Sequence, residues 1–191
     1  TAIGSIKRIE EQTDGKQMSI SSYRYSGDRT VLSYEEMNGY CNRAIKLNPN
    51  CKLTLILMQV NDIEDYMKNE GSGFVQDLLQ SVQDTVRRHV GHRGIVCPLQ
   101  PNLMSVVVQD INSDIKLRAF IESLRSRIAW NYRLVDPKYE ISFSFGVACY
   151  PENGMDMRIV HRKLVKALQM AQEKHANCYV IYKEHLHGEL S

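Results

Sequence analysis

The chain has 191 residues, 43% hydrophobic and 24% charged, which suits one main domain with one sizeable core. Its formal net charge of +2 excludes a global field that would draw it to nucleic acid or a membrane surface. The longest apolar run, Leu53 to Met58, is far too short to cross a bilayer and no apolar signal region opens the chain, so a soluble cytoplasmic domain is expected, with any membrane anchor lying elsewhere in a full-length protein.

Residues 1–32 hold two strand-like pieces, SIKRIEE and KQMSISSYRY, separated by the turn signal T-D-G-K. They read either as an extra edge hairpin or as a linker, the tail of a preceding sensor domain. Ser33 with Glu36 three residues on forms a capping box, opening a helix that Asn48-Pro49-Asn50 stops. The apolar run Leu53 to Val60 (LTLILMQV) is a strand, followed by a short helix near Ile63 to Asn69 and a Gly71-Ser72-Gly73 break. From Phe74 to Val90, the residues Val75, Leu78, Leu79, Val82, Val86 and Val90 recur at helical spacing and mark a buried face.

The next strand, Asn102 to Gln109 (NLMSVVVQ), closes a hairpin, and Asp114 to Tyr132 is a second amphipathic helix. Its residues Ile115, Leu117, Phe120, Ile121, Leu124, Ile128 and Trp130 pack inward or towards a partner, and Asp136-Pro137 ends the connection. Then come the strand and turn ISFSFGVACYPENG, the helix IVHRKLVKALQMAQEKHAN and the strand CYVIY. After the leading helix the order is βααββαβαβ, a mixed α/β sheet covered by helices, over a main domain of residues 33–184. Residues 185–191 read as a C-terminal tail towards a further domain. The five cysteines are odd in number and show no C-x-x-C spacing. They mostly lie in apolar strands or on an apolar helix face, which suits buried thiols in a reducing compartment.

Several clusters invite a chemical reading. Arg87, Arg88, His89, His92 and Arg93 form the one strong basic patch, able to hold phosphates; cations in the last turn of a helix are also what its dipole favours. His161, His175, His185 and His187 suggest a metal, but His185-Leu186-His187 lies in an expected frayed tail and H-x-H is a weak signal. Asp62, Glu64 and Asp65 suit a solvated helix start. No nucleophile elbow or phosphate loop is present.

The closing stretch, with SFGVA, the Y-P-E-N-G turn, the helix and N-C-Y-V-I-Y in that order, resembles the last third of GGDEF domains, the diguanylate cyclase family. The resemblance extends back to Ser33 and implies a palm-like α+β sandwich with a mostly antiparallel sheet. It also implies a site. Aligned without a gap, Gln100-Pro101-Asn102-Leu103-Met104 stands where the family reads G-G-D-E-F, so Leu103 replaces a metal-binding glutamate and Gln100 and Pro101 replace the glycines that let backbone approach phosphates. In the same register Gln59 and Asn61 stand for the aspartates of L-D-I-D-H-F. Met67 stands for the guanine-reading asparagine, Val75-Gln76 for a G-D pair, and Gln172 for the phosphate-contacting lysine. Gly91 through Gly94 (GHRG) occupies the place of the product-binding R-x-x-D.

Mg²⁺ requires hard, charged oxygens, and amides and a leucine do not supply them. Sliding the strand by three residues would offer Asp62-Ile63-Glu64 instead, at the expense of the match at Gly71 and Leu78-Leu79. The resemblance therefore implies a catalytically inactive signalling domain in bacterial cyclic-di-GMP biology, with no cofactor, working as a regulatory or interaction module beside a sensor or an EAL phosphodiesterase domain of a larger protein. Two alternatives stay open. One is a module that binds GTP or cyclic-di-GMP through Arg87, Arg88 and Arg93. The other is residual cyclase activity on Asp62 and Glu64, for which Mg²⁺ would be needed. Active members of the family work as dimers, so a homodimer is a further partner expectation.

Overall fold

The structure, a computed structural model, describes residues 34–111, 113–133, 141–174 and 177–188. The expectations for residues 1–32, Ser33, Asp136-Pro137 and His175 fall outside them. In chain order the elements are α1 (Tyr34–Leu47), β1 (Leu53–Val60), α2 (Ile63–Glu70), α3 (Ser72–Val90), a 3-10 turn (Gly91–Arg93), β2 (Gly94–Gln100), β3 (Leu103–Gln109), α4 (Asp114–Arg133), β4 (Phe143–Tyr150), α5 (Met157–Glu173), β5 (Cys178–Ile181) and the one-turn α6 (Glu184–His187). From β1 to β5 this is the expected βααββαβαβ order.

The sheet runs β2-β3-β1-β4-β5, antiparallel throughout except for β4 and β5, which the α5 crossover makes parallel. β1 lies at its centre with all eight residues buried, which is why it reads as a continuous apolar run rather than an alternating one. Its alternate residues serve two cores. Ile56, Met58 and Val60 face α3 and α4, whereas Leu53, Leu55 and Leu57 face α1 and α5. Pro98 sits in β2, an edge strand, at a register shift, where a missing backbone donor is tolerated.

α5 is set close onto the sheet because β4 presents Gly146 beneath it. A Cβ on that residue would lie 2.3 Å from the Leu168 backbone nitrogen and 2.7 Å from the Leu164 carbonyl oxygen. The helix starts where the Asp156 side chain accepts a hydrogen bond from the Arg158 backbone N–H at 2.9 Å. In the preceding turn, Asn153 Oδ1 accepts from the Cys149 backbone N–H at 2.7 Å, tying the Y-P-E-N-G segment to β4.

Five sequence expectations need correction. Gly73 lies inside α3, and the break is confined to Gly71, whose φ of 87° is costly for other residues. Asn102 belongs to the turn and β3 starts at Leu103. Ile115 and Trp130 are 80% and 67% exposed, so the inward face of α4 is Leu117, Phe120, Ile121, Leu124 and Ile128. Only Cys41 and Cys97 of the cysteines are fully buried; Cys51, Cys149 and Cys178 are half-buried free thiols. Burial nevertheless pushes the Cys41 thiol up to about 12 and Cys149 to about 11, which keeps both protonated and unreactive. Finally, His185 and His187 lie in α6, which is bonded to the domain rather than frayed.

Candidate functional site

The end of the sheet where β1 finishes brings together the β2–β3 hairpin tip, the start of α2 and the C-terminal end of α5. Register places Gln59 directly across from Leu103 on one side and Ser144 on the other. Gln100 pairs with Leu103 across the hairpin, leaving Pro101 and Asn102 as its turn. Asn102 stitches this tip to β1: its carbonyl accepts from the Val60 N–H at 2.9 Å, and its side-chain amide donates to the Val60 carbonyl at 3.3 Å.

Gln59 shares the face of Leu57 and so points towards α5, where the Gln172 amide donates a hydrogen bond to Gln59 Oε1. Gln59 is buried, 6% exposed. Gln172 Oε1 is itself buried with no hydrogen-bond partner. Asn61, two residues on, donates from Nδ2 to Ser142 Oγ at 2.9 Å and to Ser144 Oγ at 3.0 Å. The four positions Gln59, Asn61, Leu103 and Gln172 thus converge, and no carboxylate or ammonium is among them.

That donor set does not fit a divalent cation. Amide oxygens are hard but uncharged, Leu103 has nothing to offer, and Gln59 Oε1 is occupied by the Gln172 amide. Among the described residues no group of three or more His, Cys, Asp or Glu could hold a metal ion. Asp62 lies beyond the end of β1, as the left-handed N-cap of α2 with φ of 63°, and is exposed together with Glu64 and Asp65. No acid faces it from the hairpin tip. Met67, on α2, is 44% exposed, and on α3 Val75 is buried while Gln76 points outward.

The basic cluster lies elsewhere, at the C-terminal end of α3, and most of its charge is spent within the fold. Arg87 pairs with Asp84 at 2.5 Å. Arg93 donates to the His89 carbonyl at 2.7 Å and lies over the Phe120 ring, 5.2 Å from its centroid. The His89 ring packs 4.6 Å from the Phe120 ring. Burial, together with the Arg127 and Arg93 charges, holds this imidazole below its ordinary value despite its bond with the Phe120 carbonyl. Arg88, His92 and Arg93 remain exposed, and Gly91 to Arg93 form the 3-10 turn that leads into β2.

Two further histidines, His161 and His187, have structural duties. His161 is buried on α5 and its Nε2 meets Asn38 Oδ1 of α1 at 2.9 Å. His187 Nδ1 accepts from the Lys183 backbone N–H at 2.9 Å. Sequence reasoning missed the Gln59–Gln172 bond and the serines under Asn61; the available signal was a polar residue at an inward position of two apolar strands, at Gln59 and Ser144.

A family model described as the GGDEF domain of diguanylate cyclases matches residues 34–178. The chain is 17% identical over 142 residues to an uncharacterised protein of Synechocystis, covering 74% of this chain and 20% of that protein, so it spans about a fifth of its curated relative. Among solved structures it is similar to an active GGEEF domain of a diguanylate cyclase from Vibrio cholerae, with TM-score 0.69, 13% identity, and coverage of 81% of this chain and 99% of that one. It is also similar to the GGDEF domain of DgcB from Caulobacter crescentus in complex with c-di-GMP, with TM-score 0.67, 13% identity, and coverage of 83% and 98%. The FimX GGDEF domain from Pseudomonas aeruginosa gives TM-score 0.65 at 13% identity, over 84% of this chain and 100% of that one. At such identities the structural likeness speaks for the fold alone.

Proposed function

The chain belongs to the GGDEF family of diguanylate cyclase domains, and from that membership we propose that it is a non-catalytic regulatory or interaction module of cyclic-di-GMP signalling. One observation carries this reading: Gln59 and Gln172, aligned with a metal-binding aspartate and a phosphate-binding lysine, are uncharged and bonded to each other. Joining two GTP molecules requires metal-bound charge on the attacking 3′-oxygen and on the departing pyrophosphate. Here the cleft supplies none. Leu103 across the strand from Gln59 removes the second wall of ligands, and Pro101 in the hairpin turn withholds a backbone donor where phosphates would lie.

What such a domain retains is a surface and a scaffold, and its partners on this reading are neighbouring sensor or EAL-type domains of the same, longer protein. No Mg²⁺ is assigned to it. Incubation with GTP and Mg²⁺ or Mn²⁺, followed by chromatography of the products, should yield no cyclic-di-GMP. Metal-dependent turnover abolished by Asp62→Ala would instead establish residual activity on Asp62 and Glu64 and end the non-catalytic reading.

A second reading is a module that binds GTP or cyclic-di-GMP. It is favoured by the exposed Arg88 at the end of α3 and Arg93 in the 3-10 turn after it, and by the c-di-GMP complex of the similar DgcB domain. Calorimetry with each nucleotide decides it: saturable binding weakened by Arg88→Ala or Arg93→Ala supports the module, and heats no larger than dilution support a pure scaffold.

A further inference from the structure

α6 follows β5 by two residues and is held against α5 by side chains rather than by an apolar face, since none of its residues is buried. Lys166 Nζ donates to the His187 carbonyl at 2.8 Å. Lys163 Nζ donates to the Asn153 carbonyl at 2.8 Å and pairs with Glu184. The His187 ring turns back onto the Tyr182 ring, with centroids 5.6 Å apart, and its Nδ1 accepts the Lys183 backbone N–H at 2.9 Å.

This last contact fixes the protonation state. An imidazole nitrogen that accepts an amide N–H carries no proton, so the bond exists only with neutral His187, its proton on Nε2. Among the described residues, the charged and titratable groups around the ring are Lys166 of α5 and Lys174 just past its end, and Lys183, His185 and Glu184 from its own segment. Glu184 is paired with Lys163, and the Lys183 ammonium with Asp114 of α4 at 3.0 Å. Burial first, then Lys174, Lys166 and His185, hold the imidazole below its ordinary value of 6.5.

We propose that α6 is a proton-released latch, closed by the bond from the Lys183 N–H to His187 Nδ1 and opened when that nitrogen takes up a proton. Protonation removes the acceptor, deprives the Lys183 amide of its partner and adds a cation beside Lys166 and Lys174. The sign follows from the lowered value: the latch is fully closed above pH 6.5 and opens as pH falls through the His187 midpoint. Opening frees the His187 ring from the Lys183 amide and lets it leave the face of the Tyr182 ring, while Lys166 and Lys163 keep their bonds to the His187 carbonyl and Glu184.

The test is an NMR pH titration of the full 191-residue chain from pH 7.5 to 4.5, following each imidazole and the Lys183 amide. A His187 midpoint below 6.5, with the Lys183 amide shift tracking it and the protection factor at Lys183, taken against the intrinsic exchange rate at each pH, falling about tenfold as one hydrogen bond is lost, is the expected result. His187→Phe keeps a ring against Tyr182 but cannot accept, so the Lys183 amide should show the lowered protection factor at every pH. His185→Gln should leave the titration of that amide in place. A Lys183 amide that stays protected while His187 titrates, or a pH dependence that survives in His187→Phe, overturns the latch. The wild-type titration is decisive without the variants.

Discussion

The Gln172 side-chain amide on α5 donates its hydrogen bond to Gln59 Oε1 at the end of β1, so two uncharged amides from distant parts of the chain serve each other as structural partners. The bond ties the last turn of α5 to the central strand of the sheet.

Removing one partner should therefore cost more than removing both. Gln172→Leu leaves the buried Gln59 acceptor unsatisfied, and about 1–3 kcal/mol of stability should be lost. The double variant Gln59→Leu with Gln172→Leu should come back to within about 1 kcal/mol of wild type, because two apolar side chains of similar shape need no partner. A urea-denaturation double-mutant cycle measures the coupling; additive losses would show that the amides do not depend on each other.

Gly146 is the point of closest approach between β4 and α5, and the obstacle to a Cβ there is backbone, which no rotamer change relieves. Gly146→Ala should destabilise the domain by about 3 kcal/mol or more, the upper range for an overpacked core. A thermal midpoint within a degree or two of wild type would contradict the contact.

His161 provides a dependence on pH. Burial lowers its imidazole to about 4, whereas the unfolded chain titrates near 6.5. A depressed value means that the stability is intact above pH 6.5 and is lost as pH falls through about 4, by about 3 kcal/mol for this group alone. Carboxylates titrate in the same window, so the discriminating quantity is the difference between wild type and His161→Gln. Their unfolding free energies should converge by that amount between pH 7 and pH 4, and parallel curves would refute the assignment.

α4 offers a contrast between two large apolar residues on one helix. Leu124 is buried and Trp130 is 67% exposed. Leu124→Ala should cost about 2–5 kcal/mol and Trp130→Ser less than about 0.5 kcal/mol. Fluorescence of Trp130, the chain's single tryptophan, should be quenched readily by acrylamide in the native state. A blue-shifted, protected emission would mean that this side chain is covered in solution.

The sequence alone determined the element order and nearly all of the core, because β1 and the inward faces of α3 and α5 carry apolar residues whose spacing matches their geometry and whose burial on both sides of one sheet leaves little choice of register. It also determined that Gln59, Asn61, Leu103 and Gln172 carry no charge, since an amide or a leucine cannot become a carboxylate in any fold. The tertiary structure alone decided what those residues do instead. Gln59 and Gln172 are 113 positions apart and meet only because Gly146 lets α5 lie close on the sheet. The same distinction explains Trp130 and Ile115, apolar at plausible spacing yet turned outward, since periodicity locates a stripe but the neighbouring α3 decides how much of it is covered. It explains the histidines as well: whether an imidazole is a ligand, a core hydrogen-bond partner or a latch depends on what lies opposite it, and for His161 and His187 that is an Asn38 oxygen and a backbone amide.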